Sequence, residues 1–327
     1  QFHGLDSADK TAEDRDLMDI LCQLQGFEAA CGEWELEILP SRLKNYEPSK
    51  LDELCFQGLL SWGRMKLPKS NSGKKGINRS VPIAFFLREH LAYLVEKKGL
   101  VTLEANLSGK AENVFQILQE RGALFFSELG SHARLLPSEL DEALGELVRL
   151  GLISADGFSA IRPHISEEYK KREKRMQSYL RRYSLTKTHT GGRWNCFPSG
   201  IEHRENDERL DFWAWLLLQR WGVIFRDLLY FESSAPAWSD LVKVYRRLEL
   251  RGEIRGGRFI AGVGGEQFAL PNMVEKLRAH RETKAGRNWV VLSASDPLNL
   301  TGMLAERDRK STRLNSSHLV ISYAVFC

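Results

Sequence analysis

Three heptads decide how this sequence reads: Leu54-Cys-Phe-Gln-Gly58-Leu-Leu60, Leu147-Val-Arg-Leu-Gly151-Leu-Ile153 and Leu248-Glu-Leu-Arg-Gly252-Glu-Ile254. In each, a helical stretch with Leu four residues before a Gly runs into a short β-prone segment. Gly suits a helix C-cap because it reaches φ > 0 without a Cβ clash. Gly63-Arg64 and Gly257-Arg258 follow five and six residues beyond the cap, as a hairpin turn would. The glycines stand 93 and 101 residues apart, so each heptad is expected to sit in its own small domain.

The middle copy shows the pattern most clearly. Val114, Phe115, Ile117 and Leu118 give one helical face, Gly122 breaks it, and Phe125–Leu129 suits a short second helix. Pro137 opens a third helix, where its missing N–H costs nothing. That helix shows Leu140, Ala143, Leu144, Leu147 and Val148 on one side, and Gly157 is expected to turn a hairpin over 152–161. Three helices and a two-stranded wing make a winged helix. The third copy repeats this through 210–221, 225–231, 238–251 and a wing over 253–270. In the first, the wing is expected over 59–86 around the loop 66–76.

The fold class is therefore mainly α with small β wings, an α+β array of tandem winged helices. The expected domains are 1–104, 105–163 and 193–286, with a basic linker over 164–192 and a further β module starting at 287–307 from a strand at 288–293. The tail 308–327 resembles a translated sequencing-library adapter and is expected to lie outside the fold.

Composition supports a globular chain. Of 327 residues, 43% are hydrophobic and 10% aromatic, which excludes a disordered chain. No run approaches 18 consecutive apolar residues, which argues against a membrane-spanning helix. The start, Gln1-Phe-His-Gly-Leu, has neither a Met nor the basic and apolar regions of a secretory signal, so a piece of a longer protein is expected. Five scattered cysteines form no CxxC pair, which fits reduced cytosolic thiols and no structural zinc. Charge is concentrated: from His164 to Arg193, nine Lys/Arg stand against three Asp/Glu.

Winged helices grip duplex DNA with a helix in the major groove and a wing on the backbone. Candidate wing contacts are Arg64, Lys66, Arg255 and Arg258, and the third helix of the last copy offers Lys243, Arg246, Arg247 and Arg251. The corresponding helix of the middle copy, Ser138-Glu-Leu-Asp-Glu-Ala-Leu-Gly-Glu, is acidic and would be repelled by phosphate, so that copy is expected to be structural. Lys170, Lys171 and Arg172, followed by Tyr179, Arg181, Arg182 and Tyr183, interleave charge with aromatics as a strand-tracking surface does. The sequence has no Walker A, GxSxG or HExxH pattern, so no cofactor is expected on this stretch.

Several blocks resemble the C-terminal region of the large helicase-related (Lhr) family: Gly192-Arg193-Trp194, Arg220–Leu229, Arg246–Phe259, Gly264–Pro271 and Ser293–Leu300, with Leu24–Phe27, Trp34-Glu35, Leu39–Arg42 and Leu51–Leu54 nearer the start. The resemblance implies the accessory region of a bacterial superfamily 2 helicase with DEAD/DEAH-type motor domains in cis. Those domains would bind ATP and Mg²⁺. It also implies a β-barrel beginning near Asn288, a role in DNA repair, single-stranded or forked DNA or RNA:DNA hybrids as partners, and a cytoplasmic, nucleoid-associated location. Arg42, Arg193 and Trp194 join the nucleic-acid candidates.

A weaker likeness is to AlkZ-like winged-helix DNA glycosylases, through Gln23-Leu-Gln25, Leu39-Pro40, Arg42, Tyr46, Leu51–Leu54 and Leu292–Asp296. It implies catalysis by a polar cluster, here Gln23, Gln25 and Glu28, beside the C1′ of a flipped nucleotide. The spacing departs from that family's pattern by about one residue when Gln25 leads. Gln23 and Gln25 flanking an ordinary helix end is the alternative. A free-standing winged-helix regulator is the third reading.

Overall fold

In the computed structural model, which describes residues 16–65, 77–95, 107–165, 192–197, 205–282, 291–292, 296–300 and 324–325, all three heptad glycines close helices. Gly58, Gly151 and Gly252 have φ of 77°, 68° and 78°. The residue after each glycine donates its N–H to the heptad's leucine carbonyl: Leu59 to Leu54 at 3.1 Å, Leu152 to Leu147 and Glu253 to Leu248 at 3.0 Å. This is the long bond of a Schellman cap, which satisfies a carbonyl the helix leaves open.

The first module runs α1 (Leu17–Leu24), β1 (Ala29–Ala30), α2 (Cys31–Glu33) continuing as a π-turn over Trp34–Ile38, α3 (Pro48–Phe56), β2 (Leu60–Gly63), β3 (Pro82–Leu87) and α4 (Leu91–Leu94). Leu17, Ile20, Leu21 and Leu24 bury the apolar face of α1 at helical spacing. The second module runs α5 (Gly109–Arg121), β4 (Leu124–Phe125), α6 (Phe126–Ala133), α7 (Pro137–Arg149), β5 (Ile153–Ala155), α8 (Arg162–Ile165) and β6 (Arg193–Cys196). Glu128 and Glu139 each accept the N–H three residues back, from Phe125 and Leu136, at 3.0 Å, and so start α6 and α7 alike. The third runs α9 (Asn206–Trp221), β7 (Val223–Phe225), a 3₁₀ turn (Arg226–Phe231), α10 (Trp238–Leu250), β8 (Arg255–Gly257), β9 (Gln267–Ala269) and α11 (Pro271–Glu282).

Three antiparallel sheets share one strand order, first–third–second: β1-β3-β2, β4-β6-β5 and β7-β9-β8. The repeated order confirms the winged-helix class.

Two expectations fail here. The second wing does not turn at Gly157. Residues Phe158–Ala160 form a 3₁₀ turn leading into α8, and β5 pairs with β6, Ala155 opposite Trp194. Burial is the reason: Phe158 and Ile161 are both fully buried, so 158–165 is packing material. The basic stretch expected to link modules two and three therefore connects the two wing strands of module two. Gly63 and Gly257, for their part, end strands β2 and β8 instead of forming turns.

The modules also pack in groups. The chain forms two compact units, one of Gln1–Gln23, Glu37–Lys44 and Arg204–Cys327, the other of Leu24–Leu36 and Asn45–His203. In the second unit, modules one and two share a core. Trp34 meets Phe85 edge-on at 5.0 Å, Phe85 meets Phe158 at 5.0 Å, and Trp62 meets Phe158 at 6.1 Å and Trp194 at 6.4 Å. Ser154 Oγ donates to Trp62 O at 2.5 Å. Arg162 binds Glu35 at 2.7 and 2.8 Å, Asp52, and Pro48 O at 3.0 Å. Burial disfavours the Arg162 cation, but the two carboxylates outweigh it and hold its pKa above the usual arginine range.

The other unit is centred on Trp213, Tyr245 and Phe268, with Tyr245 stacked on Phe268 at 5.1 Å. Its fully buried Arg220 pairs with Glu232, which also accepts from Trp221 Nε1 at 2.8 Å. Beyond α11 the described residues show one two-stranded pairing, β10 (Val291–Leu292) with β11 (Ala324–Val325). The tail expected to lie outside the fold thus supplies a strand, and the described residues trace no barrel.

Candidate nucleic-acid interface

Among the described residues, the third module exposes a row of cations. On α10 the apolar face (Leu241, Val244, Tyr245, Leu248) is buried, which turns Lys243, Arg246 and Arg247 outward. All three carry surface carboxylates: Lys243 with Asp240 at 3.1 Å, Arg246 with Glu266 at 3.1 and 2.8 Å, and Arg247 with Asp211. Arg251 pairs with Glu253 at 2.7 Å. Exposed pairs of this kind are worth little and exchange readily for a phosphate. Arg255 and Arg258, on the wing, are exposed and have no ion pair among the described residues.

The wing is shaped by a residue that sequence reasoning missed. Gln267, fully buried, accepts from the N–H groups of Phe259 and Ile260 at 2.8 Å and donates to the carbonyls of Ile260 and Val263 at 3.0 and 3.2 Å. Its amide uses both donor and acceptor sides, so the loop is held without regular β pairing. The available signal was a polar residue at an inward strand position beside Phe268.

Other candidates are corrected. Arg42 is buried, bound to Asp296 through Nη1–Oδ2 at 2.7 Å and Nη2–Oδ1 at 2.9 Å, with Ile38 O at 3.0 Å. It is unavailable to a phosphate. Trp194 is 4% exposed and belongs to the shared core. Arg64 donates from Nη1 to Arg149 O at 2.5 Å, on the last turn of α7, and burial lowers its pKa. Arg193, by contrast, keeps its place as a candidate: it is half exposed, with Asp156 held through Nε at 2.9 Å. Lys66, Lys170, Lys171 and Arg172 lie outside the described residues.

The acidic helix of module two works internally. Lys110 binds Glu139 at 2.8 Å, and Ser108 Oγ donates to Glu146 at 2.6 Å.

The candidate catalytic residues are engaged too. Gln23 Nε2 donates to Gln219 O at 3.0 Å in the unit that carries module three. In the other unit, Glu28 accepts from Met65 N at 2.6 Å, and Gln25 Oε1 lies 2.9 Å from His90 Nδ1. The amide oxygen can only accept, so Nδ1 is the donor, and burial lowers the His90 pKa and favours the neutral ring. Among the described residues no cluster of His, Cys, Asp and Glu could hold a metal ion, and Cys31, Cys55 and Cys196 are in no disulfide. No helix among them is long and apolar enough to cross a membrane.

Comparison with known proteins follows the same divisions. The winged-helix domain described as the fourth of the large helicase-related protein matches residues 203–289, and the third matches residues 1–88. The chain belongs to the large helicase-related (Lhr) family. Its relatives include the "Lhr helicase/ probable uracil glycosylase" of Mycolicibacterium smegmatis, 29% identical over 304 residues, and the "Lhr helicase/uracil glycosylase" of Escherichia coli K12, 28% identical over 311. Each alignment covers 88% of this chain and 19% of the relative, so the chain spans about a fifth of their length. Between the two matched Lhr domains lie residues 89–202. Their sheet, β4-β6-β5, repeats the strand order of the flanking domains, with α8 inserted before its last strand.

Proposed function

We propose that this chain is the nucleic-acid-binding accessory region of a longer Lhr helicase, acting in DNA repair in the bacterial cytoplasm and nucleoid. It would take single-stranded or forked DNA, or an RNA:DNA hybrid, while motor domains in cis supply ATP hydrolysis with Mg²⁺. The residues of this chain do not themselves fit ATP, because no glycine-rich phosphate loop with its lysine occurs in the sequence. The observation that carries the reading is the exposed Arg255 and Arg258 wing beside the cationic face of α10. A fluorescence titration with forked DNA at several salt concentrations tests it. Reversing both charges (Arg255→Glu with Arg258→Glu) should weaken binding and reduce the salt slope by about 2. An unchanged slope defeats the assignment.

DNA glycosylase activity is a second reading, favoured by one observation. Gln23, Gln25, Arg42 and Asp296 are four of nine buried polar or charged residues among those described, and all four fall in the glycosylase-like order. Base excision needs a polar group held beside C1′. The test is alkali-revealed strand breaks in uracil-containing DNA. Cutting that survives Gln25→Ala with Glu28→Ala removes those residues from the chemistry.

A further inference from the structure

Modules one and two enclose a cleft of about 620 Å³ within their shared unit, lined by Cys55, Phe56, Arg88, Asp156, Arg193 and Asn195 among others. This volume lies within the range of small-molecule sites. Phe56, the last residue of α3, keeps 54% of its surface exposed. Its ring edge lies against Gly157 and Gly192, where any Cβ would come within 2.8 and 3.2 Å of it. Two glycines thus leave room for an aromatic ring that keeps over half of its surface open to solvent.

The cleft's charge is favourable as well. Arg88 is exposed and has no ion pair among the described residues. Burial pushes the Cys55 thiol up to about 12 and the Cys196 thiol up to about 11, so both stay neutral. Asp156 is the one acidic group among the described residues of the lining, and Arg193 already holds it through Nε and the backbone N–H, at 2.9 and 3.2 Å. Along β6, Arg193 and Asn195 alternate with buried Trp194 and so share the outward face. Phe125, 48% exposed, stands directly opposite Arg193 on β4, on that same face.

We infer that this cleft binds one nucleotide of a single strand, its base stacked on Phe56 and its phosphate met by Arg88 and Arg193. Asn195 offers both a donor and an acceptor to a base edge. The site deepens the nucleic-acid reading above and rests on it.

The test uses the full chain with two fluorescein-labelled probes, a 12-mer of deoxythymidine and an abasic 12-mer with the same phosphates. A base–aromatic contact is typically worth about tenfold in affinity. Phe56→Ala should therefore weaken the thymidine probe about tenfold, leave the abasic probe unchanged and keep the melting curve. Phe56→Tyr should restore binding, and Arg88→Glu should weaken both probes and flatten their salt dependence by about 0.7. If Phe56→Ala binds both probes as the parent does, the cleft is not the site, even where forked-duplex binding through the third wing persists. If the parent binds neither probe nor forked DNA, the broader reading falls with it.

Discussion

The second and third modules share a strand order and a 13-residue helix ahead of the wing, and they put opposite chemistry on that helix, the one a winged helix offers to DNA. On α10 the outward residues are Lys243, Arg246 and Arg247, whereas on α7 they include Glu139 and Glu142. The carboxylates Glu139 and Glu146 tie down the start of α5, and the Trp194 strand that closes the second wing is consumed by the core shared with module one. Topology fixes where a winged helix can make contact, but charge decides whether it does.

The largest expected effect sharpens the structural half of this contrast. Arg162→Ala leaves Glu35 and Asp52 without their buried cation and should cost about 3–5 kcal/mol. Hydrogen exchange should show the loss across modules one and two, with amides of α9 and α10 protected as before. Protection lost equally in both units breaks the division.

Next comes the wing. Gln267→Ala strands two N–H groups and two carbonyls and should destabilise the third module by about 2–4 kcal/mol, measured by urea unfolding. It should also weaken forked DNA while sparing the single-stranded probe. Arg246→Ala is expected to leave stability nearly unaltered and to weaken duplex binding, because Glu266 is an exposed partner; a large fall in melting temperature would reassign it to the fold.

The smallest effect concerns pH. Because burial holds the His90 pKa below the ordinary value near 6.5, the unfolded chain binds that proton more readily than the folded one. Stability of modules one and two should therefore be full above pH about 6.5 and decline as pH falls below it. His90→Gln should remove that decline, and melting curves at pH 5 and 7.5 compare the two.

Much of the fold was legible because it rests on local chemistry. The heptad glycines, Pro137 and the apolar faces of α7 and α10 are properties of neighbouring residues, and each took its expected place. What depended on distant partners was not. Arg42 reads as a surface cation until Asp296, 254 residues away, supplies its counter-charge. Trp194 reads as a nucleic-acid contact until the core with Trp62 takes it up. The second wing was misread because Gly157 reads as a hairpin turn, whereas Phe158 and Ile161 just beyond it serve as packing. Of the candidate interface, the exposed Arg255 and Arg258 could be read from the sequence. Gln267 and the Phe56 cleft required coordinates, since their roles come from what surrounds them.

The perpendicular indoles of Trp62 and Trp194, one from each fused module, carry a practical corollary. Two such chromophores 6.4 Å apart couple their electronic transitions, so the near-ultraviolet dichroism of the protein is a built-in gauge of whether those modules stay joined. Watching that band while an oligonucleotide is added separates a ligand that settles into a rigid cradle from one that prises the halves open.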